Sequence, residues 1–552
     1  MTRTGARILV DQLVVHGVDT AFCVPGESYI AVLDALRDAP IRLLVARHEA
    51  GATNMAEAYG KLTGRPGICF VTRAPGATHA ATGVYTAFQD STPLVLFVGQ
   101  VPLAHRGREA FQELDYEAAF GSFTKLAVEV EEPGDFPEVT ARAFQAAMSG
   151  RCGPVVVALP EDVLAREADV EDAEAYAPAR SAPTTGEVAQ VREALAGAER
   201  PLVVVGGGGW SAQAAADLQA FAEASRLPVA TSFRRQDYVD NTSASYAGVL
   251  TVGHDPALAR RLREADLLLV VGSRLGDIPT RGYTTLEPPH TPQTLVHVHA
   301  DANELGRVFR AELPIVSGSA EFLAAIRALG PVDGSARTEW AESAHSDFLA
   351  SLRHRRGPGA LDLGDVLQHL REHLADDAIL TNGAGNYTVW CHRFYAFRRY
   401  GTQLAPCSGA MGYGIPSAIA AKAVHADRLV VCVSGDGDFM MSGHELATAV
   451  QERLPIIVLV VNNGMYGTIR MHQERLFPGR VVGTDLLNPD FVALAAAFGA
   501  YGEAVSRSEA FPAALERAFA QDRPSLIELQ VDPEAITPRE TISEIRAAAE
   551  RP

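Results

Sequence analysis

Lysine is nearly absent from this 552-residue chain: Lys61, Lys125 and Lys422 are the only three, and the other 45 of its 48 basic residues are arginine. Few candidates therefore exist for a Schiff-base amine. Basic residues are outnumbered by 67 acidic ones, for a net charge of −19. That balance excludes a general basic footprint for nucleic acid or an anionic membrane surface, so any anionic ligand must be held locally. Long hydrophobic runs are missing as well; stretches such as LPIIVLVV at 454–461 fall far short of the roughly 20 residues that span a bilayer. Six cysteines (23, 69, 152, 391, 407 and 432) lie far apart, with no CxxC and no Cys/His cluster at zinc spacing, which argues against a disulfide scaffold or structural zinc. The N-terminus, MTRTGARILVDQLVVHG, has apolar residues at helical spacing rather than the unbroken apolar core of a signal peptide, and a cytoplasmic location is the expectation.

What the chain does have is length for three or four domains and a recurring rhythm. Short β-branched runs, such as IRLLVA (41–46), GICFVT (67–72), LVLFVG (94–99), DLLLVVG (266–272) and IIVLVV (456–461), are each followed by a turn and an Ala-rich helical stretch. Runs apolar on both faces and separated by helices predict an α/β fold of doubly wound parallel sheets. Two stretches break the rhythm, the acidic Ala/Pro-rich segment 165–187 and the basic Gly/Pro-containing segment 351–362, and both read as linkers. Three domains are expected, at 1–165, about 188–335 and 360–552. The outer two echo each other. Segments 65–99 and 427–463 share a buried strand, a Gly turn, a helix and a Pro-led strand, with Gly76 to Pro93 separated by 17 positions and Gly437 to Pro455 by 18. Any two strand–helix–strand units share this plan, so the echo fits either that or a pair of similarly folded domains.

The strand LVVCVSG ends in Gly435-Asp436-Gly437, and after 24 further residues the next strand ends in Asn462-Asn463. A Ser442/Glu445 pair reads as a capping box opening the intervening helix. In a right-handed strand–helix–strand unit both strands emerge on one edge of the sheet, so Asp436 and Asn463 are expected to converge. A carboxylate and an amide oxygen are hard donors suited to Mg²⁺, which takes its remaining ligands from phosphates and water. Glycines flanking Asp436 would allow close backbone approach, and a helix N-terminus favours an anion. Together these predict a Mg²⁺–diphosphate cradle.

On GDG and NN at this spacing the chain resembles the thiamine-diphosphate enzymes, most closely the acetolactate synthase group, over nearly its whole length. The resemblance implies metal ligands Asp436, Asn463 and, through its main chain, Met465, with Asp438 and Tyr466 beside them. Segment 380–390 is similar to the stretch that meets the diphosphate, which points to Gly385, Asn386 and Tyr387. In segment 405–423, Met411 matches the apolar prop that bends the cofactor, and Gly409 the carbonyl that accepts from its 4′-amino group. Glu49, in RHEAGA ahead of an Ala-rich helix, could by itself be a glutamate favoured by a helix dipole. The resemblance makes it the carboxylate that hydrogen-bonds N1′ of the pyrimidine, best served by an apolar site that raises its pKa. It also implies a homodimer with shared active sites, Glu49 coming from the partner subunit, and commonly a tetramer.

Phe111 and Gln112 match residues that approach the reacting carbon in acetolactate synthases, and Gln112 could bond the substrate carbonyl or its oxyanion. His79 stands where that group has Asn, and reads either as a catalytic acid–base or as a structural histidine. His472 replaces a tryptophan that helps select the second 2-oxo acid, which leaves a role in branched-chain amino-acid synthesis in question; it lines a polar acceptor pocket or is an exposed helix residue. In the central domain, GGGGWS (206–211) lacks the third glycine and the acidic residue of a dinucleotide fingerprint, against NAD. Segment 272–283 partly resembles a flavin-contacting stretch, keeping Arg274 and Asp277. Ile278 stands in place of its second arginine and 247–255 lacks a Met-His-Gly loop, so FAD is the less favoured further cofactor.

The expected activity is a Mg²⁺- and thiamine-diphosphate-dependent transferase that decarboxylates a 2-oxo acid and adds the product to a second carbonyl. The alternative is simple decarboxylation or C–C cleavage, as in benzoylformate decarboxylase or aldehyde lyases. A non-catalytic cofactor-binding subunit has no chemical need for Glu49.

Overall fold

The computed structural model describes residues 2–550. It contains three parallel six-stranded sheets flanked by helices, with a small two-stranded ribbon beside them. The α/β expectation is met. By compactness the chain forms two units. The first runs to Ala179 and takes in Ile415–Ala426 and Ser442–Leu454; the second comprises Arg180–Gly414, Asp427–Met441 and the stretch from Pro455 onward.

In the first unit the strands lie in the order Arg42–Val45, Thr20–Cys23, Gly67–Val71, Leu94–Gln100, Pro154–Pro160, Leu126–Glu129. Written in chain order this is 2-1-3-4-6-5. LVLFVGQ and PVVVALP are buried at every position, as strands covered on both faces must be. Of the segment 165–187 expected as a linker, Glu167–Ala168 pairs as a short strand and a helix begins at Thr185. Residues 169–183 carry no helix or strand, but Ala173 is held through its main chain by both ends of the Gln12 amide.

The second unit holds the other two sheets. One has the order Tyr246–Leu250, Val229–Ser232, Pro201–Val205, Leu267–Val271, Thr294–His299, Leu313–Val316, or 3-2-1-4-5-6, the doubly wound arrangement with separate apolar cores on its two faces. The other runs Gln403–Leu404, Ile379–Asn382, Val430–Gly435, Ile457–Asn462, Ser525–Gln530, Tyr501–Val505. Its order, 2-1-3-4-6-5, is that of the first sheet. Segments 65–99 and 427–463 supply strands three and four of each, so the echo in sequence is a repeat in topology.

All six cysteines are free thiols, four of them buried. Among the described residues no helix is long and apolar enough to cross a membrane. The glycine-rich turn of the central sheet is occupied by the protein itself: the Trp210 indole donates to the Gly206 carbonyl at 2.9 Å and the Tyr238 hydroxyl to that of Gly207 at 2.7 Å.

Candidate active site

The strands Val430–Gly435 and Ile457–Asn462 are adjacent and parallel, Gly435 pairing with Val461. Their C-terminal ends meet at one edge of the sheet, where Asp436 and Asn463 line a cleft of about 220 Å³ with Gly385, Asn386, Tyr387, Met411, Gly437, Asp438, Met465 and Tyr466. Of the cofactor residues expected in this unit, Gly409 alone is not in the lining; it turns the chain at φ +72° two residues before Met411.

Asp436 is buried, and its oxygens accept from the amides of Gly437 and Gly464 at 2.9 Å and from the Asn488 side chain at 2.8 Å. Burial raises its pKa and these donors oppose the rise. Asn488 also donates to Asn462 Oδ1 at 3.0 Å, tying both strand ends together. Nothing in the sequence marked Asn488; it lies in a loop without motif, and only the fold brings it 52 residues back to Asp436. The Met465 side chain is buried in an apolar cluster with Met471, Ile536, Ile542 and Ile545, so a contribution to the cleft from this residue comes from its backbone.

The two glycines of the GDG line the cleft and are also packed against by aromatic rings. A Cβ on Gly437 would lie 2.6 Å from the Tyr466 ring, and one on Gly435 would lie 3.0 Å from the Tyr387 ring. They make room for two tyrosines. Asp438 is a framing residue: its carboxylate accepts from the Gly412 and Ala384 amides, the Tyr387 hydroxyl and the Ser434 hydroxyl. It thereby joins the segments after strands one, two and three of this sheet. Asn386 is similarly engaged, donating to the Ile536 carbonyl at 3.0 Å and accepting from Thr468 at 2.9 Å. His472 is exposed and lines a second cavity of about 310 Å³, which shares Asn386 and Thr468 with the cleft, beside Thr251, His254 and His392. Arg470 pairs with Glu474 at 3.0 Å and so belongs to the packing of the C-terminal helices.

In the first unit Glu49 opens the helix Glu49–Thr63, whose N-cap is the His48 side chain and whose C-cap is Gly64 at φ +69°. The Ser442/Glu445 capping box is not formed. The chain makes a short helix at Asp436–Phe439 and a 3-10 turn at Gly443–Glu445 without a side-chain cap. Glu445 instead reaches the start of the Glu49 helix, accepting from the Arg47 amide at 3.1 Å and the His48 amide at 3.0 Å. A fully buried carboxylate thus closes the helix N-terminus, where an anion is favoured. Gly51 leaves room for it, since a Cβ there would lie 2.3 Å from Glu445 Oε1.

Glu49 Oε2 lies 3.0 Å from His79 Nδ1. His79 stacks on His48 with ring centroids 4.6 Å apart, and His444 tilts against His48 at 5.8 Å. Burial lowers the pKa of His48 and of His444. Gln112 has φ +66° and accepts from the Ala74 amide at 3.3 Å, at the head of the helix that carries His79. Phe111, beside it, is exposed.

Three family descriptions match along the chain: the thiamine pyrophosphate enzyme N-terminal TPP binding domain over residues 3–119, the central domain over 188–326, and the C-terminal TPP binding domain over 383–529. The chain belongs to the thiamine pyrophosphate enzymes. Within them it is of acetolactate synthase type. It is 32% identical to the acetolactate synthase isozyme 2 large subunit of Escherichia coli, over 96% of this chain and 95% of that one. It is 34% identical to the acetolactate synthase large subunit of Corynebacterium glutamicum, over 96% and 87%, and 29% identical to the probable large subunit of Methanocaldococcus jannaschii, over 97% and 93%. The chain is therefore a thiamine-diphosphate-dependent transferase of acetolactate synthase type.

Proposed function

We propose that this enzyme uses Mg²⁺ and thiamine diphosphate to decarboxylate a 2-oxo acid and join the product to a second carbonyl compound. The carrying observation is the convergence of Asp436 and Asn463 in one cleft whose lining holds neither lysine nor arginine. A diphosphate bound there needs a metal for charge balance, and a carboxylate with an amide oxygen and a main-chain carbonyl is the hard donor set that Mg²⁺ takes. Asp436, Asn463 and the Met465 carbonyl would hold the ion. When bound, thiamine diphosphate supplies the electron sink that decarboxylation requires. Gly385, Tyr387 and Gly409 would meet it through the backbone or the ring face, and Met411 would prop it.

Glu49 would hold and move a proton at the ring nitrogen of the pyrimidine. The Glu49 side chain is only 13% exposed. Gln112 would bond the substrate carbonyl, and His472 would line the approach of the acceptor. The enzyme is read as a cytoplasmic homodimer in which each Glu49 serves the partner subunit's cofactor, with pairing into tetramers. FAD is not part of the proposed chemistry.

The test is a panel of 2-oxo acids, alone and with an added aldehyde, on protein reconstituted with Mg²⁺ and thiamine diphosphate, with product identification. Carboligated products are expected. Free aldehyde as the sole product would replace ligation by simple decarboxylation, and no consumption of any 2-oxo acid would contradict the reading.

A further inference from the structure

Glu49 is a proton-handling carboxylate with little access to water. Within a single protomer its side chain is 13% exposed, whereas that of His79, 3.0 Å away through Nδ1, is 53% exposed. His79 projects from the helix Ala74–Asp90. Against an ionised carboxylate the Nδ1 position carries the hydrogen, which leaves the other ring nitrogen for solvent. Among the described residues of the first unit, no other side chain around Glu49 is so placed. His48 accepts the Ala50 amide on its Nδ1 at 3.1 Å. Glu445 is engaged by the Arg47 and His48 amides, and His444 faces Glu445 at 3.6 Å. Arg47 points away, to Gln451 at 2.6 Å.

We infer that His79 is a positioning residue that connects Glu49 to solvent at the site as a proton route. Nδ1 passes its proton to Glu49 Oε2 while the ring takes one from water at Nε2. The transfer reverses when Glu49 gives the proton back, so the tautomer is restored and no electrons change hands. This rests on the reading of Glu49 as the group that exchanges a proton with the cofactor. It requires that His79 govern the rate of proton exchange and leave cofactor affinity alone.

The experiment follows exchange of the cofactor C2 proton with deuterated solvent in the holoenzyme, by rapid quench and NMR, without substrate. Parent, His79→Ala, His79→Asn and Glu49→Gln are compared, and cofactor affinity is measured by calorimetry. Because His48, Glu49 and His79 lie close enough together to hold a transition metal, the protein is first treated with chelator and then reloaded with Mg²⁺. His79→Ala is expected to slow exchange by about tenfold or more, within the range of general acid–base effects, with affinity unchanged within about twofold, and free imidazole should restore the rate. His79→Asn, which can bond Glu49 but cannot relay, should be slow and not rescued. In the apo-protein a downfield imidazole N–H resonance should be present in the parent and absent from His79→Ala.

An exchange rate in His79→Ala equal to the parent's, with Glu49→Gln still inactive in exchange, overturns the inference and leaves the proposed function standing. Weakened cofactor binding at an unchanged exchange rate per bound cofactor also overturns it, because His79 would then be structural. A parent that exchanges no faster than free cofactor contradicts the proposed function itself.

Discussion

The first and third sheets share the strand order 2-1-3-4-6-5 and put different chemistry on it. After strand two, the first sheet starts the Glu49 helix; the third makes a loop through Gly409 and Met411 before its helix begins at Gly414. After strand three, the third sheet places Asp436 in a four-residue helix and returns at strand four to Asn463. The first runs at that point into a 17-residue helix beginning at Ala74. Its Arg73, at the same turn, is buried and pairs with Glu161 and Glu27. The scaffold therefore sets where chemistry can be placed, at the C-terminal edge of parallel strands, but not which chemistry. In the proposed division of labour the third sheet would bind metal and diphosphate, and the first would move protons.

That contrast can be broken from either side. The largest effect is expected from Glu49→Gln, which should lower turnover by about 10²- to 10⁴-fold, the range of general acid–base contributions. Steady-state kinetics at saturating cofactor checks this. Next comes Asn488→Ala. It removes the amide that orients Asp436 and should weaken Mg²⁺ affinity by about 10- to 100-fold, as loss of a partner behind a metal ligand commonly does. A metal titration of turnover at saturating thiamine diphosphate reads it, and an unchanged midpoint would show that the Asp436 geometry does not depend on Asn488.

Glu445→Ala leaves the Arg47 and His48 amides without their acceptor and should destabilise the first unit by about 1–3 kcal/mol, the cost of buried unsatisfied groups. Denaturant unfolding measures it; Glu445→Gln, which keeps one acceptor oxygen, should lose less. The smallest effect concerns Glu474, held by Arg546 and Arg470. The Arg546 hydrogen bond, followed by the Gly479 amide and Arg470, lowers its pKa to about 2 against burial. A depressed folded-state pKa contributes stability above the unfolded value, about 4.3 for a glutamate, and loses it as pH falls through the folded one. The melting-temperature difference between parent and Glu474→Gln should therefore be constant above about pH 5 and shrink as pH falls from about 4.3 toward about 2.

How far the sequence could be read follows from what kind of interaction fixed each feature. Strands buried on both faces and glycine-bearing turns are local patterns, and they yielded three sheets and the repeat between two of them. GDG and NN converge because strand direction and crossover hand leave no alternative. What escaped was set by side chains crossing large sequence distances. Glu445 has the spacing of a capping box, yet it serves amides 398 and 397 positions earlier, a link that neither segment encodes alone. Gly435 and Gly437 suggest close backbone approach, and only the fold shows that tyrosines 48 and 29 positions away also pack against them. Asn488 carries no motif, because a lone amide in a loop acquires meaning only from the carboxylate opposite it. The ambiguity over His79 was geometric in the same way, and a 3.0 Å contact with Glu49 connects it to the carboxylate.

The division of labour between the two sheets is tested most directly by measuring thiamine diphosphate affinity and C2-proton exchange on the same preparations of Asp436→Ala and Glu49→Gln, with and without Mg²⁺. Asp436→Ala should lose the Mg²⁺-dependent part of cofactor binding. Glu49→Gln should bind with near-parent affinity and fail to accelerate exchange. Parent-like exchange in Glu49→Gln, or Mg²⁺-dependent binding that survives in Asp436→Ala, would contradict it.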